Sequence, residues 1–283
     1  MELDQTRIAI RERGFLELMD LSLTVIRGHA GALLVAWLIG VLPMMAVNQV
    51  VLFEILQLGD GWAIPSDDPE EMFWQAVGYI GWLTFLVVLE IPVATTLMTL
   101  YLGQAMFHDS PGAKRVAADF VPRLPQLVVL QVLGRGVLTM FCCVPCLLLY
   151  LLAPYLNEVI LLERNSFSTT LKRAQDLHSS NVGLLFARWT ASLFFGGVIL
   201  FPLFYLSLLV IRNVFMGQWE WDHLGYTLGL TVEARVAMWM TVGLFAVVRY
   251  LSYLDLRIRR EGWEVELQLR AEAARLRARM GEA

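Results

Sequence analysis

Several stretches of this sequence run longer than about 20 residues with hardly a charged side chain, which restricts the folds open to it. A helix rises about 1.5 Å per residue, so about 20 apolar residues cross the roughly 30 Å hydrocarbon core of a bilayer. Inside lipid every backbone N–H and C=O must be paired within the protein, which leaves helices or a closed β-barrel. Barrel strands alternate in polarity over about ten residues, whereas these runs are apolar on every side. The barrel is therefore excluded. With 57% hydrophobic and 17% charged residues, the chain is more apolar than a soluble globular domain. The excess apolar surface is expected to face lipid, and the fold class to be all-α and polytopic.

The first run, Ala30 to Phe53, contains Pro43 and is followed by an acidic loop, Gly59 to Met72, with no Lys or Arg. Phe73 to Phe107 is longer than one crossing needs and holds Glu90-Ile91-Pro92 at its middle. Proline removes a backbone donor and bends a helix. The run reads as one long helix kinked at Pro92, or else as two re-entrant segments. After His108 to Arg123, the stretch Leu124 to Glu163 is broken by Cys142-Cys143-Val144-Pro145, which predicts a tight hairpin of two helices. Arg164 to Asn181 leads to a fifth helix, Val182 to Ile211. A loop from Asn213 to Tyr226, with Trp219 and Trp221 suited to the interfacial belt, precedes a sixth, Val236 to Leu254.

About six transmembrane helices, arranged as three hairpins, place the basic segments on one side. Arg7, Arg11, Arg13 and Arg27, then Lys114, Arg115 and Arg123, then Arg164, Lys172 and Arg173, and finally Arg257, Arg259 and Arg260 share a face; the other has Arg212 and Arg235. Basic residues are retained on the cytoplasmic side of membrane proteins. The expected location is the bacterial cytoplasmic (inner) membrane, with both termini cytoplasmic. The first apolar run is too long for the core of a signal peptide and is expected to remain as an anchor.

Each hairpin is preceded by a short amphipathic segment: Gly14 to Arg27, Gly112 to Arg123 and Ser166 to His178. In the first, Phe15, Leu18, Met19, Ser22, Val25 and Ile26 share one face. Three units of one interfacial helix plus one hairpin account for this pattern; ordinary polar connectors are the other reading. Beyond Leu254 the tail carries Ile258, Gly262, Val265, Leu269, Ala273, Leu276 and Met280 at spacings of three and four. It is expected to be a cytoplasmic helix whose apolar stripe packs on the connectors, on lipid or on another chain. The expected organisation is a cytoplasmic segment 1–29, a transmembrane domain 30–254 and a tail 255–283.

Ionisable side chains within a bilayer are costly, which singles out Glu90 and Arg135 as a candidate intramembrane pair, with Gln131, Thr95 and Thr96 as further hydrogen-bonding groups. Such a pair either lines a solute or proton path or fixes helix packing. Arg188 and Arg249 stand close enough to the cytoplasmic boundary to reach headgroups, so snorkelling is expected of them. Cys142, Cys143 and Cys146 have no histidine near them in sequence to complete a zinc site. The acidic loop lacks the Asp, Asn and Gly spacing of a calcium loop. The sequence has no phosphate-binding glycine loop, G-x-S-x-G elbow or H-E-x-x-H. Neither enzymatic activity nor a cofactor or metal is expected, and no basic stripe suggests nucleic acid.

The segment Tyr253-Leu254-Asp255-Leu256-Arg257-Ile258-Arg259-Arg260-Glu261-Gly262-Trp263-Glu264 resembles the end of a bacterial family of six-helix membrane proteins. That family is designated by a glycerophosphoryl diester phosphodiesterase membrane domain. Arg13-Gly14-Phe15 to Arg27-Gly28-His29 is similar to its amphipathic opening helix, and Glu163 with Ser166 to Leu177 to its connector. The resemblance implies a fold and a membrane location. In some members the domain is joined to a phosphodiesterase barrel; these 283 residues contain none, so hydrolysis is not implied. Arg257, Arg259, Arg260 and Trp263 are the candidate contacts to headgroups or to a partner. The sequence thus suggests a non-enzymatic scaffold or subunit working with membrane lipids and a protein partner. The alternative is a transporter or channel-like protein with a polar path at Glu90 and Arg135.

Overall fold

In a computed structural model, residues 13–55, 69–106, 111–134, 136, 155–163, 166–179, 182–210 and 232–261 are described. Among them the chain is helical and has no strand. The helices are α1 (Phe15–Gly28), α2 (Ala30–Gln49), α3 (Pro69–Ala94), α4 (Thr96–Ala105), α5 (Ala113–Phe120), α6 (Leu124–Leu127), α7 (Leu156–Leu162), α8 (Phe167–Ser179), α9 (Val182–Leu208) and α10 (Val232–Glu261). Wider π-helical turns extend α2 through Val50–Ile55 and α6 through Val128–Leu133.

Five described segments are long and apolar enough to cross a membrane: Ala30–Leu52, Val77–Ala105, Ala113–Leu133, Val182–Ser207 and Glu233–Arg260. Residues 137–154, which hold the end of the third expected helix, the turn and the first part of the fourth, lie outside the described residues; α7 falls on the last part of the fourth. The cysteine trio, Trp219, Trp221, Trp263 and the tail beyond Glu261 also lie outside them. Short helices stand at Phe15–Gly28, Ala113–Phe120 and Phe167–Ser179, on the segments that the sequence marks as amphipathic.

The long run around Pro92 forms two helices separated by one residue, Thr95. The threonines beyond the proline turn their hydroxyls back on the chain. Thr95 Oγ1 donates to the Ile91 carbonyl at 2.7 Å, Thr96 Oγ1 to that of Pro92 at 2.6 Å and Thr99 Oγ1 to that of Thr95 at 3.2 Å. Such bonds keep an interrupted helix polar-satisfied where water is scarce.

The packing axis is α10, which touches α1, α2, α4, α8 and α9. Over half of its most apolar window is buried (56%), against 11% for α9, whose Leu193, Phe194, Val198 and Phe201 stay exposed. Because lipid is as apolar as leucine, helices in a bilayer associate through close packing rather than hydrophobic exclusion. Gly40 and Gly243 are among the glycines that provide that packing. A Cβ on Gly40 would stand 2.0 Å from the Ala94 carbonyl oxygen, so α2 meets the α3–α4 break backbone to backbone. On Gly243 it would stand 2.7 Å from the Trp37 ring, whose indole N–H donates to the Trp239 carbonyl at 3.0 Å. One apolar cluster, including Val41, Leu52, Tyr79, Val87 and Trp239, joins α2, α3 and α10. Another, including Leu18, Leu33, Leu102, Val159, Leu177 and Tyr250, gathers α1, α2, α4, α7, α8 and α10 at the end of the bundle that carries Arg13, Arg173 and Arg259, here called the basic end.

Candidate functional site

Of the expected intramembrane pair, Glu90 is buried at 8% exposure, and its neighbour is Asn48, whose Nδ2 donates to Oε2 at 2.9 Å. Arg135 lies outside the described residues. The described charges at membrane depth are instead organised around residues of α7, α9 and α10.

The deepest cluster joins three elements. Arg249 Nε on α10 donates to Glu158 Oε1 on α7 at 2.6 Å, and its Nη2 to the Thr95 hydroxyl at 3.1 Å. Glu158 is fully buried (0%) and the Arg249 side chain is 13% exposed. Arg249 stands about 24 Å from Glu233 and about 16 Å from Arg260 along α10, which places the pair well inside the span. The α3–α4 interruption is what brings the Thr95 hydroxyl within its reach.

A second cluster closes the basic end. Asp255, 2% exposed, accepts from Arg188 on α9, from Arg259 Nε at 2.8 Å and from the Arg13 backbone N–H at 2.7 Å. Arg188 also donates to the Ser252 carbonyl at 3.1 Å, and Arg259 Nη2 to that of Arg13 at 3.1 Å. The chain just before α1 is thereby held to α9 and α10 through one carboxylate. In a third cluster Glu163, at the end of α7, accepts from Arg173 Nε on α8 and from the Tyr253 hydroxyl on α10, each at 2.8 Å. Nearby, Asp119 on α5 meets Gln104 Nε2 at 3.0 Å and Arg123 Nη2 at 3.6 Å, while Arg123 also donates to the Leu161 carbonyl.

Snorkelling is therefore the wrong description of Arg188 and Arg249. Both guanidiniums turn into the bundle, each onto a buried carboxylate of a neighbouring helix. Of the expected headgroup contacts, Arg260 is exposed, Arg257 is half-buried and Arg259 is engaged with Asp255. Sequence reasoning passed over Glu158 and did not weigh Asp255 as a partner. The available signal was a set of opposite charges inside or beside different apolar runs, but several pairings were equally open to it.

At the opposite end Arg235, 4% exposed, donates to Gln49 Oε1 at 2.7 Å. The described residues contain no group of three or more His, Cys, Asp or Glu side chains able to hold a metal ion. On α8, His178 is 3% exposed and stacks on Tyr155 with ring centroids 5.8 Å apart. Burial lowers its pKa to about 4, against the pull of the Ala174 carbonyl. It is thus neutral at physiological pH.

Three groups at depth remain open to a further partner. Glu158 Oε2, both side-chain atoms of Asn157 and both of Gln131 are buried and have no hydrogen-bond partner among the described residues. Comparison with family models, with curated proteins and with solved structures returns no match.

Proposed function

We propose that the chain is a multi-pass protein of the bacterial cytoplasmic membrane, with cytoplasmic termini, that serves as a non-enzymatic scaffold or subunit of a membrane complex. What supports this reading is that buried charges are paired from one helix to another within the bundle. Glu158 pairs with Arg249, Asp255 with Arg188 and Arg259, and Asn48 donates to Glu90. Breaking a buried pair leaves an uncompensated charge at a cost of about 3–5 kcal/mol, so such pairs favour one fixed packing. The Asp255 and Glu163 clusters meanwhile tie α1 and α8 to the bundle and make the basic end a rigid platform. On this reading a protein partner meets that platform through α1, α8 and the tail, while lipid covers the flank of α9.

The test is purification of the tagged chain from native membranes in mild detergent, with quantitative mass spectrometry of what stays bound. Because α10 is described to Glu261, a truncation after that residue removes the rest of the tail and leaves Val232–Glu261 in place. The expected result is one protein at near-equal molar amount, lost in the truncated form. Purification with lipid alone overturns the proposal.

A second reading, a transporter with a polar path, draws on the open hydrogen-bonding groups of Glu158, Asn157 and Gln131 and on the helix break at Thr95. Polar groups at the midplane beside interrupted helices are what such proteins use. In that case Glu158 and Arg249 take the place of Glu90 and Arg135, and Glu158→Gln abolishes solute-dependent activity in a chain that still assembles.

A further inference from the structure

At the basic end, α1 with His29, the end of α4 and α10 leave an open cleft of about 220 Å³ between them, walled by Leu21, Val25, Gly28, Leu102, Met106 and Leu251. The polar groups beside it already have partners. His29 Nδ1 meets the Tyr101 hydroxyl at 3.1 Å, and the Tyr250 hydroxyl donates to the Leu102 carbonyl at 3.2 Å. An apolar wall of that kind gives water too few hydrogen bonds to be occupied by it. Sites that enclose a whole drug-sized molecule measure roughly 300–1,000 Å³, so this open cleft has room for part of one flexible chain rather than for a compact ligand.

Its depth and charge narrow the occupant further. His29 directly precedes the span that begins at Ala30, and Leu251 lies about 14 Å short of Arg260 along α10. The cleft therefore extends from headgroup level into the hydrocarbon. Arg27, next to the cleft-lining Gly28 in the last turn of α1, is exposed, and no described residue forms an ion pair with it. Lys114 is exposed on α5, which packs against α4. Basic groups at a membrane surface attract anionic headgroups.

We propose that this cleft seats one acyl chain of an anionic glycerophospholipid from the leaflet at the basic end, with Arg27 against its phosphate. The inference does not depend on the scaffold reading. Lipid would hold α1 to α4 and α10 from the outside, as Asp255 holds the chain before α1 to α9 and α10 from within.

Two substitutions test it on the full chain. Nothing lies within 4 Å of a Cβ built on Gly28, so Gly28→Trp fills the cleft without displacing backbone. Arg27→Glu reverses the charge at an exposed position. Native mass spectrometry would follow lipid retention after incubation with phosphatidylglycerol or phosphatidylcholine, and light scattering would follow oligomeric state. A basic residue near a surface contributes about 1 kcal/mol toward anionic lipid, or about five-fold in affinity. The wild-type chain is expected to retain phosphatidylglycerol over phosphatidylcholine by about that factor, Arg27→Glu to erase the preference, and Gly28→Trp to lower retention of both. Equal retention of the two lipids by the wild type overturns the proposal, as does Gly28→Trp that holds phosphatidylglycerol undiminished. A change of oligomeric state in Gly28→Trp assigns the cleft to a second copy and overturns it too. Arg27→Glu touches no packed group, so it decides the matter even if Gly28→Trp fails to fold.

Discussion

Glu158 and Arg249 each sit where a lone charge would be intolerable, and each is tolerable because of the other. The 2.6 Å contact and the near-complete burial of both side chains make the pair a test of how charge is held at depth. Glu158→Gln or Arg249→Met alone is expected to destabilise the folded chain in detergent by about 3–5 kcal/mol. Combining them should cost clearly less than the sum, as a double-mutant cycle on denaturant unfolding would show. Full additivity would mean that the two residues act separately. Gly40 has a different constraint, since a side chain there meets the Ala94 carbonyl, which cannot rotate away. Gly40→Ala should cost about 1–3 kcal/mol as α2 is forced off the α3–α4 break. Gly78→Ala, on a helix face with nothing within 4 Å, should be neutral or stabilising by up to about 1 kcal/mol through helix propensity. Thermal unfolding of the two variants side by side makes the comparison.

Among the elements, α1 and α8 are the ones held by polar clusters rather than by length. α1 buries Leu18 and Ser22 while Glu17, Asp20 and Arg27 stay exposed. The backbone just before it is anchored by the Asp255 carboxylate. A hydrogen bond to a charged group contributes about 1.5–3 kcal/mol. Asp255→Asn should therefore raise amide exchange in Phe15–Gly28 by about tenfold or more, with exchange in α3 unchanged. Equal protection of α1 in the variant would show that apolar contacts alone hold it. For α8 the relevant group is His178, whose folded pKa is lowered from 6.5 to about 4. The unfolded chain then binds more protons between those values. Stability is complete above about pH 6.5, falls as pH drops toward 4, and changes no further below it through this residue, a loss of about 3 kcal/mol in all. His178→Phe should flatten that part of a stability–pH profile measured in detergent.

At the scale of the whole molecule, α10 is the axis on which the described packing is organised, and the basic end is where the Asp255 and Glu163 clusters tie α1 and α8 to it. The orientation of the bundle in the membrane is a matter for labelling. In a background without Cys142, Cys143 and Cys146, cysteine at Ser66 is expected to react with an impermeant maleimide in intact cells. Cysteine at Ser166 should react only after the inner membrane is opened. The reverse pattern would invert the orientation inferred from the distribution of Lys and Arg.

Much of this molecule's helical class was legible in the sequence, because a bilayer admits few backbone solutions and a run such as Ala30–Leu52 is long enough to need one. The interruption after Pro92 was legible too, since a missing N–H acts locally, although its position at Thr95 was not. What only the tertiary structure decided was which charge meets which. Arg249 could have reached outward to lipid; α7 instead brings Glu158 to it, and α2 brings Asn48 to Glu90. Side-chain pairing at depth follows from how closely helices approach, and that approach is set by contacts such as Gly40 on Ala94, between residues 54 positions apart in the chain. Hydrophobic length is a local property and can be read along the sequence; the partner of a buried charge is a non-local one.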